Sequence, residues 1–391
     1  MSQLQRRPLR VAIVAGEASG DILGAGLIVA LRRHHPGLIC EGVGGPLMIE
    51  QGFVSHFDME RLSIMGFVEP LKRLPELLKM RASIVRRFID DPPDLFIGID
   101  SPDFTLNIEL KLRAVGIKTA HYVSPSVWMW RQKRVFKIKK AVDMMLTLLP
   151  FEAEFYRRFD VPVTFVGHPL ADQLPMLPDT AGARRAFSLK DDDCVLCLMP
   201  GSRGSEVKFL GELFLRVALK LSEALPGLRV LLPMANAARA EQLQAIVAEM
   251  DESERTQIER VVTFIDGDSH RAMEASDTVL LASGTTALEA MLLKKPMVVS
   301  YRMGGMSFAI LKRLAKVPYV ALPNLLAGRA IIPEALQYEA NIENLTALVL
   351  TRLKGEEDIG ALVNLFSDYH RQLKQGASDR AAEALLALLE V

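Results

Sequence analysis

The chain has only three cysteines, Cys40, Cys194 and Cys197, an odd and sparse set that excludes the disulfide framework of a small secreted protein. Cys194 and Cys197 match C-x-x-C, but they sit in the apolar run CVLCLM, which reads as a buried strand. Residues three apart on a strand point to opposite faces, so these thiols are expected as core residues and not as a redox pair. Net charge is missing too. Lys+Arg and Asp+Glu both number 47, which argues against a general nucleic-acid binder while leaving room for a local basic patch. No apolar stretch approaches the roughly 20 residues of a membrane span. After Arg6 and Arg7 the apolar run Val11–Ala15 stops at Gly16 and Glu17, too short for a signal-peptide core. The expected location is therefore the cytoplasm, with peripheral membrane contact left open.

Three motifs are absent as well. No G-x-G-x-x-G follows the first strand, which disfavours a dehydrogenase, and no G-x-x-x-x-G-K-[ST] marks a P-loop. There is no H-E-x-x-H and no clustered His/Cys set. Asp191-Asp192-Asp193 contains a D-x-D, yet it precedes a strand, at the amino end, where a solvated turn is the expected role. No metal and no other cofactor is expected.

What is present is a long, apolar, alternating chain. Its 391 residues are 50% hydrophobic, enough for two α/β cores. Short apolar runs alternate with helical patterns. The first series is Arg10–Ala15, Leu95–Ile99, Thr119–Val123, Met144–Leu148 and Val163–Val166. The second is Val195–Met199, Val230–Pro233, Val261–Phe264, Thr278–Ala282 and Met297–Tyr301. Continuous apolar strands separated by helices predict parallel sheets covered on both faces, hence two doubly wound, Rossmann-like domains. Pro169, Pro175 and Pro178 punctuate the break between them. The expected organisation is a first domain over 1–170, a linker over 171–185, a second domain over 186–355 and a helical tail over 356–391 that can pack back on the first domain.

Two segments of the second half share one design. In LMPGSRGSEV a strand runs into Pro200-Gly201-Ser202-Arg203-Gly204 and then a helix. A small-residue turn opening a helix offers backbone N–H groups and a positive dipole end to an anion, and Arg203 adds a fork suited to phosphate. In LLASGTTALEAML a strand runs into Ser283-Gly284-Thr285-Thr286 and another helix. Glu289, four residues after Thr285, lies one helical turn on and suits a pair of ribose hydroxyls. Either turn alone could be a tight connection or a capped helix; both together point to a nucleotide site over Gly201, Ser202, Arg203, Ser283, Gly284, Thr285 and Glu289.

These stretches carry a family resemblance. With VAGEASGDILGAGL, PDLFIGIDSPDF, HYVSPSVWMWRQKRVFKI, FVGHPLAD and YVALPNLLAGR they run in order from Val14 to Arg329, and the chain resembles the lipid-A-disaccharide synthases. The resemblance implies a GT-B arrangement, two Rossmann-like domains facing a cleft, and inverting, metal-independent glycosyl transfer. The implied donor is UDP-2,3-diacylglucosamine and the implied acceptor 2,3-diacylglucosamine 1-phosphate. It further implies a diphosphate role for Arg203, a ribose role for Glu289, a place for Asn324 in the nucleotide site, and a candidate homodimer. Rival readings are another UDP-sugar enzyme, such as an epimerase or a soluble glycosyltransferase, and a non-catalytic UDP-sugar binder.

Inverting transfer to a hydroxyl needs a proton acceptor. Asp100 and Asp103 in IGIDSPDF are the candidates. Ser101 reads as an N-cap and Pro102 as the first helical residue, which puts Asp103 in the first turn with a structural job. Asp100 is left at the strand's carboxyl end, and the resemblance points to it as well. Gly16, Glu17 and Ser19, after the first strand, are candidates for sugar contact, as are His121, Ser124 and Ser126. For acylated substrates an apolar patch, Phe67, Val68, Leu71 and Leu74 with Ile64, Met65, Leu77 and Leu78 around it, is a candidate membrane contact, with Pro70 and Pro75 arguing against one unbroken helix. Six basic residues between Arg131 and Lys140, with Trp128 and Trp130 before them, are a candidate anchor to anionic lipid.

Overall fold

The computed structural model describes residues 7–62, 69–305, 308, 313, 317–355 and 358–389, with 69–72 described in backbone alone. All ten apolar runs become strands, five of them with the bounds read from sequence. The chain falls into two compact units, one made of Met1–Asp172 with Leu373–Val391, the other of Gln173–Gln372.

The first unit holds a seven-stranded sheet: β1 (Arg10–Ala15), β2 (Ile39–Gly44), β3 (Val54–Asp58), β4 (Leu95–Ile99), β5 (Lys118–Tyr122), β6 (Met144–Thr147) and β7 (Val163–Phe165). Their order is β3-β2-β1-β4-β5-β6-β7, and all pairs are parallel. β1 and β4 carry Val, Ile, Ala, Leu and Phe buried on both faces, as a sheet covered by helices on both sides requires. β2 escaped the reading because Glu41 and two glycines interrupt it. Glu41 is tolerated there because Arg10, His56 and Arg87 meet its carboxylate at 2.9, 2.8 and 3.0 Å. The last helix, Ala377–Leu388, joins this unit's core through Ala377, Ala381, Ala382 and Leu385. Asp172 fixes its start by accepting from the Gly376 and Ala377 amides at 2.9 and 2.7 Å.

One expectation fails in this unit. Helix Glu69–Asp90 runs straight through Pro75. Pro70 falls in the first turn, where an N–H has no partner within the helix anyway. Pro75 removes a single bond close to the N-terminal end, and the 22-residue helix carries that loss.

The second unit holds a six-stranded parallel sheet of β8 (Val195–Met199), β9 (Arg229–Met234), β10 (Val262–Asp266), β11 (Thr278–Ala282), β12 (Met297–Tyr301) and β13 (Glu334–Leu336), in the order β10-β9-β8-β11-β12-β13. Helix Gly204–Ala224 buries Val207, Leu210, Phe214, Val217 and Leu221 against it. β13, three residues long, gave no periodic signal. Each sheet therefore reverses its strand order once, between β1 and β4 and between β8 and β11. Ligands of open α/β sheets bind outside the carboxyl ends of the strands at such a reversal.

Candidate functional site

In the second unit the reversal carries both predicted nucleotide segments. A hollow of about 290 Å³ is lined by Gly201 and Ser202 after β8 and by Thr285, Thr286 and Glu289 after β11. Ala235, Gly267 and Ser269, beyond β9 and β10, also line it and had not been singled out from sequence. Arg203, Ser283 and Gly284 adjoin this lining without forming it. Arg203 is 69% exposed along its side chain, and Gly284 caps helix Thr285–Leu292.

The first turn is built differently from the expectation of open amides. Glu206 is buried, and its Oε2 accepts from the Ser202 and Arg203 N–H groups at 3.1 Å each, while Oε1 accepts from the Arg203 guanidinium at 3.2 Å. The helix's own carboxylate therefore occupies donors that a phosphate would otherwise meet. Gly201 makes this possible. Its φ is +120°, and a Cβ there would lie 2.4 Å from Glu206 Oε2. Glu289, in turn, has a neighbour that sequence spacing did not reveal. His270 Nε2 stands 3.6 Å from its Oε2, and the Glu289 carboxylate, as acceptor for the imidazole N–H, raises the His270 pKa.

Asn324 departs from its expected place. It is buried, and both ends of its amide are engaged within the chain: Nδ2 donates to Ile332 O and Glu334 Oε1, and Oδ1 accepts from the Ile331 and Ile332 amides, all at 2.8–3.0 Å. It staples the approach to β13 and does not line the hollow. The Asp191–Asp193 turn precedes β8, at the sheet's opposite edge.

In the first unit the reversal brings Gly16 against Ser101, the residue after Asp100. A Cβ on Gly16 would lie 2.1 Å from Ser101 Oγ, so the turn after β1 packs on the turn after β4 only because residue 16 is glycine. Glu17 and Ser19 are exposed at the start of helix Ala18–His34. Asp100 and Ser101 both adopt positive φ, +55° and +46°, and Val123, after β5, is at +79°. For a β-branched residue this is a true outlier, and such strain gathers at functional sites. Ser101 does stand at the cap position of helix Pro102–Ala114, but its hydroxyl makes no cap bond. Asp103 lies in the first turn and pairs with Arg134 at 2.6 Å. Asp100 lines a hollow of about 400 Å³ with Ser124 and Ser126. Among the described residues its carboxylate has no hydrogen bond or ion pair.

His121 does not reach that hollow. It is fully buried, with Nδ1 2.7 Å from Glu109 Oε1. Gly98 leaves the space, since a Cβ there would lie 2.1 Å from that oxygen, and burial raises the Glu109 pKa. Trp128 is also buried, not an anchor: its Nε1–H donates to Glu152 Oε1 at 3.2 Å. Glu152, missed from sequence, lies under the Ser124–Trp128 turn and also accepts from the Leu149 amide at 3.2 Å; burial pushes its pKa up to about 8. Ser124 is tied to the Tyr156 hydroxyl at 3.1 Å.

Of the expected membrane patch, Phe67 and Val68 lie outside the described residues, as does the Leu71 side chain. Leu74 and Leu78, one turn apart on helix Glu69–Asp90, are 46% and 44% exposed. In the basic run, Lys137 bonds Asn107 at 2.8 Å and Lys139 faces Asp160 at 3.5 Å. Among the described residues, no helix is long and apolar enough to cross a membrane.

Comparison with known proteins agrees on family and fold. A family model for lipid-A-disaccharide synthetase matches residues 11–388. The chain is 55% identical to a lipid-A-disaccharide synthase of Pseudomonas putida over 382 residues, covering 98% of this chain and 99% of that one. It is 54% identical to one from Pseudomonas aeruginosa, covering 98% of each. Among solved structures, a UDP-GlcNAc 2-epimerase from Neisseria meningitidis bound to UDP-GlcNAc superposes with a TM-score of 0.63 at 14% identity, over 97% of this chain and 100% of that one. The calicheamicin glycosyltransferase CalG4 gives 0.59 at 15% identity, over 98% and 99%. At such identities these two likenesses speak for the fold alone.

Proposed function

The chain belongs to the lipid-A-disaccharide synthase family, and on that premise we propose which of its residues do the work. The enzyme joins UDP-2,3-diacylglucosamine to 2,3-diacylglucosamine 1-phosphate, giving the β-1,6-linked disaccharide 1-phosphate and UDP. Asp100 takes the proton of the acceptor's 6-hydroxyl as that oxygen attacks the donor's anomeric carbon and the bond to UDP breaks. A carboxylate at the sheet reversal with no partner among the described residues, beside the strained Ser101 and Val123, supports that role. Arg203 and the N-terminus of helix Thr285–Leu292 meet the diphosphate, where negative charge grows as UDP departs. Glu289 accepts from the ribose hydroxyls, with His270 fixing its orientation. Gly16, Glu17 and Ser19 contact sugar. His121 and Asn324 hold the scaffold in place.

The observation that carries the reading is a hollow lined by both nucleotide segments at the second sheet's reversal. An epimerase shares the fold, but the relatives at 54–55% identity are transferases. We further infer work at the cytoplasmic face of the inner membrane. Exposed Leu74 and Leu78 and the exposed residues Lys133, Lys139 and Lys140 support it. A homodimer belongs to the same reading, with sedimentation as its check. Mass spectrometry of the product from acylated UDP-glucosamine and its 1-phosphate partner tests the function. A disaccharide with release of UDP is expected, and UDP-sugar turnover without a disaccharide would overturn the assignment. Liposome flotation of wild type against Leu74→Ser/Leu78→Ser tests the membrane contact, with weaker flotation of the variant expected.

A further inference from the structure

The hollow beside Asp100 mixes a carboxylate with two guanidinium groups. Its walls include Asp100, Ser126, Trp130, Arg131 and Arg134, and at about 400 Å³ it falls within the size range of small-ligand sites. Arg131 lies over the Trp130 ring, 4.1 Å from its centroid. Stacking holds the guanidinium plane and leaves its edge donors open. Among the described residues Arg131 has no hydrogen bond or ion pair from its side chain. Arg134 is engaged by Asp103 at 2.6 Å, but Asp103's side chain is 86% exposed and can be exchanged for a stronger anion. Lys133, Lys139 and Lys140 belong to the same basic run, yet none of them lines the hollow.

We propose that Arg131 and Arg134 form a phosphate subsite that holds the sugar 1-phosphate of the acceptor in the hollow of Asp100. The proposal rests on the acceptor and the base assigned above. A hexose carrying a nucleophilic hydroxyl at one end and a phosphate at the other must be gripped at both ends. A carboxylate and two guanidinium groups sharing one hollow supply the two grips. A planar fork pairs with phosphate oxygens through parallel charge-assisted bonds, which a lone lysine cannot match.

The test uses short-chain acceptors with and without the 1-phosphate, in nonionic micelles, on the full chain and on Arg131→Met. Wild type should prefer the phosphorylated acceptor. The variant should raise its KM for that acceptor by about tenfold or more, leave the donor KM unchanged and lose about tenfold of the preference. Arg131→Lys should retain part of it. A wild type with no preference, or a variant that keeps the full preference and the wild-type KM, overturns the proposal. So does a defect seen only with anionic vesicles, which would assign Arg131 to lipid. Wild type making no disaccharide at all would instead sink the functional reading beneath it.

Discussion

The two sheet reversals solve the same problem in opposite ways. In the second unit the first turn and Glu289 are already partnered: Glu206 fills the Ser202 and Arg203 amides, and His270 attends Glu289. Its positive φ values near the hollow fall on Gly201, Gly267 and Asp268, residue types that tolerate them. In the first unit strain falls on Val123 and Ser101, and among the described residues the Asp100 carboxylate has no partner. A site that only holds a nucleotide gains from being rigid and satisfied before the ligand arrives. A group that must take a proton gains from having nothing else bound to it. The contrast suggests that binding and chemistry have been divided between the two edges.

That contrast can be broken most sharply at Asp100. Asp100→Asn is expected to lower kcat by about 10²–10⁴-fold, the usual range for a lost general base, in a product assay. Next in size is Gly201→Ala. The new Cβ would collide with Glu206 and force a φ of +120° on alanine, so UDP affinity should fall about tenfold by calorimetry, with the melting temperature lowered. The smallest effect concerns the buttress beneath the turn that lines the hollow of Asp100. Glu152 keeps its proton in the folded state up to about pH 8, whereas in the unfolded chain it ionises near pH 4.3. Its contribution is thus intact below about pH 4.3, falls as pH rises toward 8, and levels off above. Thermal melts from pH 6 to pH 9 should show wild type losing a few degrees relative to Glu152→Gln. Parallel curves would remove Glu152 from the account.

Much of this layout was legible in the sequence because buried parallel strands announce themselves. Ten apolar runs gave the strands, and PGSRG and SGTT each followed one of them; the strand order that sets them at one reversal came only from the fold. The strands that escaped were those where tertiary pairing overrides composition, as Glu41 shows in β2. Asn324 was misplaced because a polar residue beside a site can be a staple as readily as a ligand contact, and only its four bonds tell which. His121 and Trp128 were misread for a related cause. Their partners, Glu109 and Glu152, lie 12 and 24 residues away, beyond any local pattern. Glu206 was within reach, since a glutamate three residues past a helix cap is a known capping position.

The division of labour is tested most directly by titrating UDP into wild type, Asp100→Asn and Glu289→Ala in the calorimeter, beside their turnover. The account predicts that Asp100→Asn binds UDP within about twofold of wild type while making almost no disaccharide, and that Glu289→Ala loses affinity. Asp100→Asn losing UDP as severely as Glu289→Ala, or turning over normally, would contradict it.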